Sequence, residues 1–162
     1  DGAEEIRQLV LTGDPGRWSA ETEILLFTSA RRDHLERLIE PALARGEIVI
    51  TDRFADSTRI YQGTTRGDLR DRVDALHRIM IGREPDLTLI IDMEPAEALS
   101  RTKRPERAGS EARFEDFGLD LQLKVRAGFL ALAETFPDRC RVIDGAGDLD
   151  TVAARVRAAL TA

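Results

Sequence analysis

Glu47-Ile48-Val49-Ile50-Thr51-Asp52-Arg53-Phe54 carries the chain from a run of β-branched residues straight into an acid and a base. Such a run reads as a buried strand of an α/β fold, and folds of that class place their chemistry just past the carboxyl ends of strands. The strand is expected over Glu47 to Thr51, with Asp52 and Arg53 leaving it together. A carboxylate there can hold a magnesium-bound water or a positioning hydrogen bond, and a guanidinium can grip a phosphate through two oxygens. A structural ion pair at a strand end is the competing reading, which the dipeptide alone does not exclude.

The flanking segments alternate helix and strand. Ala3 to Leu11 reads as a helix with an acidic first turn, ended by Thr12-Gly13-Asp14-Pro15-Gly16. Ser19 is the expected cap of a long helix reaching about Ala44, with Glu21 and Glu23 adding negative charge to its first turns and Pro41 kinking its end. Leu69 to Ile81 is a helix stopped by Gly82, and Leu87 to Asp92 is a second strand. Pro95 opens another helix. Leu119, Leu121, Leu123 and Val125 alternate like a strand, yet the apolar pattern runs through Leu132 without proline, so Phe114 to Phe136 is read as helix. Arg141 to Asp144 is a third short strand, and Leu149 to Leu160 a closing helix. Strands separated by helices predict parallel pairing with helices on both faces.

The 162 residues make one ordinary domain, 42% hydrophobic and without an apolar run of membrane-spanning length. A net charge of -6 argues against general nucleic-acid binding, so neither nucleic acid nor membrane is an expected partner. Positive charge is local: Arg101, Lys103, Arg104, Arg107 and Arg113 fall within thirteen residues. The single cysteine, Cys140, beside Val142 and Ile143, reads as buried and inert in a reducing, cytoplasmic setting. His34 and His77 lie too far apart for a metal pair.

Several side chains can converge on the Asp52-Arg53 strand end. Phe27 and Arg31 are four apart and share a helix face, where one can stack on a flat ring and the other can donate to its edge or to a phosphate. A core phenylalanine beside a surface arginine explains that pair equally. Ser57, Thr58, Arg59, Tyr61 and Gln62 follow Arg53 closely enough for a turn and a short helix to return polar groups to the same crevice. Thr58 and Gln62 can hydrogen-bond a base edge and Tyr61 can wall off a sugar, whereas a plain helix cap also accounts for Ser57 and Thr58.

In order and spacing, Phe27-Thr28-Ser29-Ala30-Arg31, Pro41-Ala42-Leu43-Ala44-Arg45-Gly46, Asp52-Arg53-Phe54 and Ser57-Thr58-Arg59-Ile60-Tyr61-Gln62-Gly63 resemble bacterial thymidylate kinases. Pro85 to Asp92 resembles that family's fourth strand, and Arg113-Phe114-Glu115 the end of its lid. The resemblance implies a three-layer α/β/α P-loop kinase fold with a parallel sheet in the order 2-3-1-4-5, the first two strands being absent from these residues. It implies that residues 1–162 are a partial nucleotide kinase domain with a lid at about 101–115. It also implies phosphoryl transfer from ATP to thymidine 5′-monophosphate with Mg²⁺, in a homodimer formed through the long helices including Phe27 to Leu43.

On the matching positions, Phe27 would stack on thymine, Arg31 would address its polar edge, and Thr58 and Gln62, with Ser57, would complete base recognition. Tyr61 would disfavour a ribose 2′-hydroxyl, and Arg53 would hold the acceptor phosphate. Asp52 would serve the metal, directly or through water, while Arg101, Arg104 and Arg113 would close over the phosphates of ATP, with Arg101 and Arg113 the preferred catalytic pair. The family's phosphate-binding loop, Gly-x-x-x-x-Gly-Lys-Ser/Thr, has no match, so roughly forty family residues are expected upstream and the 162 residues alone are expected to be inactive. Kinases for another nucleotide or nucleoside, or an inactive homologue with a dimerisation or interaction role, are the alternatives.

Overall fold

The computed structural model describes residues 2–14, 16–102 and 118–161. Two compact units account for them, one reaching to Glu84 and one beginning at Pro85.

In the first unit, α1 (Gly2–Leu11) lies against α2 (Ala20–His34). Asp33 of α2 accepts the Ala3 backbone N–H at 3.0 Å, satisfying one of the donors that a helix start leaves open. Ser19 caps α2 as expected, its hydroxyl accepting the Thr22 N–H at 3.1 Å. The same helical rod continues through a π-helical turn, Leu35–Ile39, into α3 (Glu40–Ala44). Pro41 gives the reason. Its ring would crowd the carbonyl one turn earlier, and the widened turn, in which the Glu40 N–H donates to the Leu35 carbonyl, relieves that crowding. The expected kink is therefore a π-bulge just before the proline.

Leu35, Ile39 and Ile81 form a buried cluster against which Leu43, Val49 and Phe54 pack. Helix α4 (Ala55–Tyr61) and helix α5 (Arg70–Met80) complete the unit, burying Ala55, Ile60 and Val73. Gly82, at φ 66°, takes the left-handed turn after α5 and returns its N–H to the His77 carbonyl. Gly63 closes α4, where a Cβ would meet the Arg59 carbonyl oxygen at 2.4 Å, so only glycine fits without movement.

Glu47 to Thr51 corrects the sequence reading, because it forms neither strand nor helix. Among the described residues no strand ladder includes it, its Glu47 N–H turning back to the Ala42 carbonyl at 3.1 Å, and a strand exists only through its ladder. The period-two alternation is nevertheless kept: Val49 packs on the core while Ile48 and Ile50 are each 92% exposed.

The second unit pairs β1 (Thr88–Asp92) with β2 (Cys140–Asp144) in parallel, Thr88 opposite Cys140 and Asp92 opposite Asp144. After α6 (Pro95–Thr102), helices α7 (Gly118–Thr135) and α8 (Leu149–Thr161) pack on this ladder, and α6 packs on α7. Ile90, Val125, Leu132, Cys140 and Ile143 are its buried apolar residues, so the lone thiol is interior. The leucine alternation at 119–125 is helical, as its length required. Arg126 of α7 grips Asp92 through two nitrogens at 2.7 and 3.0 Å and Glu94 at 2.5 Å, locking the end of β1.

Candidate functional site

Helices α2 and α4 build the site in the first unit. Glu23, Phe27 and Arg31 recur every four residues and so form one stripe along α2. Thr58 and Gln62, one turn apart, form the matching stripe at the end of α4. Long side chains join the two stripes at both ends. Arg31 Nη2 donates to Thr58 Oγ1 at 2.8 Å and to the Phe54 carbonyl at 3.1 Å, and Gln62 Nε2 donates to Glu23 Oε2 at 3.1 Å. Half-buried Phe27 occupies the α2 position midway between these ties.

Arg31 lies 5.3 Å from the centre of the Phe54 ring. Burial, and then the neighbouring Arg59 charge, lower its pKa to about 10, which still leaves it cationic at neutral pH. The helix α4 that carries Thr58 and Gln62 is anchored by Arg59. That guanidinium is 5% exposed and donates to Asp56 at 2.8 Å, Asp74 at 2.7 Å and Glu84 at 2.5 Å. Burial opposes its charge, but the three carboxylates outweigh burial and raise its pKa. Burial likewise opposes ionisation of Glu84, yet His77 and Arg59 hold its carboxyl well below the usual range. His77 Nε2 is 3.1 Å from Glu84 Oε1, yet neither buried ring nitrogen meets hydrogen-bond geometry in this arrangement. The His77 ring also meets Phe54 edge-on at 6.3 Å.

Asp52 and Arg53 are exposed, one turn ahead of α4. Arg53 is the one described non-glycine residue with positive φ, at 68°, and its guanidinium sits 5.1 Å from the centre of the Tyr61 ring. The side chain is thus aimed by a left-handed backbone that costs energy and by an aromatic face that returns some of it. Ser57 lies half-buried in the first turn of α4, and its N–H reaches the Phe54 carbonyl at 3.3 Å. Thr58 is buried and Tyr61 half-buried. The first unit therefore gathers Phe27, Arg31, Asp52, Arg53, Ser57, Thr58, Tyr61 and Gln62 on α2, α4 and the segment leading into α4.

Arg101 belongs to α6 of the second unit, where it donates to Glu97 at 2.6 Å and to the Gly147 carbonyl at 3.1 Å. Arg104 and Arg113, expected to complete the lid, lie outside the described residues. Among the described residues no group of three or more His, Cys, Asp and Glu side chains could hold a metal ion. A single exposed carboxylate such as Asp52 does fit a magnesium ion whose remaining ligands are water and substrate phosphate.

Two features escaped the sequence reading. Glu23 was expected only as a first-turn charge, but its side chain is fully buried, held by Arg66 at 2.5 Å as well as by Gln62. Its four-residue spacing from Phe27 and Arg31 was the available signal. The second concerns Arg59, read as one of the polar groups returning to the crevice: it is instead buried against Asp56, Asp74 and Glu84, which lie up to 25 positions from it and share no short motif with it.

The chain is thus an α/β protein in which Phe27, Arg31, Thr58 and Gln62 lie on two hydrogen-bonded helices, with the exposed Arg53 ahead of the second. Thymidylate kinase is the family whose model matches, over residues 2–156. The chain is 70% identical to a thymidylate kinase of Ruegeria pomeroyi, over 96% of this chain and 72% of that protein. It is 66% identical to one of Dinoroseobacter shibae, over 99% and 76%. The crystal structure of thymidylate kinase from Ehrlichia chaffeensis superposes with a TM-score of 0.75 at 30% identity, covering 98% of this chain and 73% of that one. The chain belongs to the thymidylate kinase family. Nothing in these comparisons supports the expectation that the 162 residues alone are inactive.

Proposed function

We propose that the protein transfers the γ-phosphoryl group of ATP to thymidine 5′-monophosphate, giving the diphosphate. The observation that carries this reading is 70% identity to a thymidylate kinase over 155 residues, spanning every residue of the α2 and α4 stripes. The alternatives of another acceptor or an inactive homologue gain no support from relatives that share one name.

In the proposed reaction the thymine ring stacks on Phe27 between the two ties, and Arg31, Thr58, Gln62 and Ser57 face its polar edge. Arg31 suits this role because Thr58 and Phe54 already fix one of its nitrogens, so little orientational freedom is lost on binding. Tyr61 borders the sugar. Arg53 binds the acceptor phosphate and steadies its charge as the phosphoryl group arrives. Phosphoryl transfer depends chiefly on such positioning and charge stabilisation. Mg²⁺ would supply charge neutralisation at the phosphates, and Asp52 would hold it, through water, from the segment ahead of α4.

The described residues include no Gly-x-x-x-x-Gly-Lys-Ser/Thr phosphate-binding loop. Arg101, Arg104 and Arg113 are assigned to a lid at about 101–115 of a single kinase domain covering residues 1–162. The reading also includes the three-layer α/β/α P-loop fold with strand order 2-3-1-4-5, for which β1 and β2 suit the adjacent fourth and fifth strands. A homodimer through the α2 to α3 rod is part of the proposal, supported by exposed Leu25 and Leu38 on that rod. The reaction is assigned to the cytoplasm, where the buried Cys140 thiol would stay reduced. No described helix is long and apolar enough to cross a membrane.

The test is a coupled ATP-dependent assay against thymidine, thymidine monophosphate and other nucleoside monophosphates. Thymidine monophosphate should be strongly preferred. Arg53→Ala should lower turnover by about 10²- to 10³-fold, as loss of a charge-stabilising donor does. Near-normal turnover by a folded Arg53→Ala protein would reject its assignment.

A further inference from the structure

We infer that Glu23 is a positioning residue for acceptor selection, acting through Gln62 to decide which end of that amide faces the bound base. The inference rests on the acceptor-site reading above. Glu23 is 0% exposed and Gln62 1% exposed, so both side chains are held by protein partners rather than by water. Arg66 Nη1 contacts Glu23 Oε1 at 2.5 Å, and Arg66 Nη2 reaches the Trp18 carbonyl at 3.3 Å. A glutamate carboxylate paired with an arginine only accepts hydrogen bonds.

Gln62 must therefore turn its Nε2 toward Glu23 Oε2, which it meets at 3.1 Å. Its Oε1 is then directed away from that contact. The opposite flip would set oxygen against oxygen in a buried site. Because the amide is locked in this sense, α4 offers an acceptor at Gln62 while the guanidinium of Arg31, fixed by Thr58 four residues earlier in the sequence, offers donors. A thymine edge presents the reverse order, an acceptor at O4 and a donor at N3. Cytosine presents a donor at its exocyclic amine and an acceptor at N3, which mismatches both positions. Sites built to hydrogen-bond a particular edge reject the wrong one strongly because their own polar groups are left unpaired.

Glu23→Gln is nearly isosteric and removes the charge that dictates the flip. Turnover and KM are measured for thymidine monophosphate and deoxycytidine monophosphate in the wild type, Glu23→Gln, Gln62→Met and the double variant, with thermal melting of each. The ratio of kcat/KM between the two acceptors should fall about tenfold or more in Glu23→Gln. The change should appear mainly in KM, and Glu23→Gln should add no further loss of discrimination to Gln62→Met. Glu23→Asp, which keeps the charge but retracts it, should show an intermediate ratio and serves if Glu23→Gln does not fold.

An unchanged ratio in folded Glu23→Gln or Glu23→Asp protein overturns the inference, as does equal loss on both acceptors, which a purely structural role would give. Failure of the wild type to use thymidine monophosphate would instead reject the acceptor-site reading itself.

Discussion

Replacing Arg59 by methionine tests whether the charge cluster under α4 holds the acceptor side of the site in place. Arg59 and Asp56 are each 5% exposed and joined at 2.8 Å. Asp74 and Glu84 are 41% and 40% exposed, so water can take over part of the solvation that Arg59 provides. Asp74 also keeps Arg70 at 2.7 Å. The cost of Arg59→Met therefore falls mainly on Asp56, a buried carboxylate deprived of its hydrogen-bonded counter-ion. Breaking a buried pair from one side typically costs about 3–5 kcal/mol, and the nearby Arg31 charge places the expectation at the lower end, about 3 kcal/mol.

That is a large part of an ordinary domain's stability of about 5–15 kcal/mol. Replacing both partners, Arg59→Met with Asp56→Leu, should restore at least half of the loss, because no buried charge then remains at that pair. Urea unfolding at neutral pH, followed by circular dichroism, gives the four corners of the cycle, with coupling between the two sites expected to be about 2 kcal/mol. A loss below about 1 kcal/mol for Arg59→Met, or no recovery in the double variant, would refute the claim that Asp56 depends on this guanidinium.

The backbone at Arg53 supports a second comparison: Arg53→Gly should be more stable than Arg53→Ala by about 1 kcal/mol in thermal melts, since only glycine relaxes at φ 68°, while both lose phosphoryl transfer. Equal melting temperatures would remove the argument that strain is held at this residue. Gly63→Ala should destabilise by more than about 1 kcal/mol in urea unfolding, because its Cβ would meet the Arg59 carbonyl oxygen at 2.4 Å, and an unperturbed midpoint would contradict that geometry. Acid sensitivity follows from Glu84, whose folded pKa lies below its unfolded value near 4.3. Its contribution is complete above the unfolded value and is lost as pH falls toward the folded one. Arg59→Met should flatten the stability profile below about pH 4, and a parallel profile would show that the pair does not shape it.

Particular residues explain how far the sequence could be read. Ser19 capping, the helix stop at Gly82 and the strand before Asp92 were legible because each is a local rule acting over one turn or one run. Pro41 announced a disturbance, but not that the chain would absorb it as a π turn at Leu35–Ile39. Glu47 to Thr51 has the composition of a strand, yet composition supplies no neighbouring strand, and the described residues give it none. At the site, Phe27, Arg31, Thr58 and Gln62 could be brought together from their order and spacing. The Glu23 contact could not, since a glutamate in a first helical turn looks the same whether it serves the dipole or a buried amide 39 positions away. The Arg59 cluster was hidden for the same reason, being a product of tertiary packing between α4, α5 and the residues after Gly82.

The central claim is that the α2 and α4 stripes receive a thymidine nucleotide with its phosphate at Arg53. A crystal structure of the protein with thymidine monophosphate tests it most directly. The account predicts the thymine ring against Phe27, its O4 within hydrogen-bond reach of Arg31, and the phosphate on the Arg53 guanidinium. A nucleotide bound elsewhere, or reversed with its phosphate at Arg31 and its base at Arg53, would contradict it.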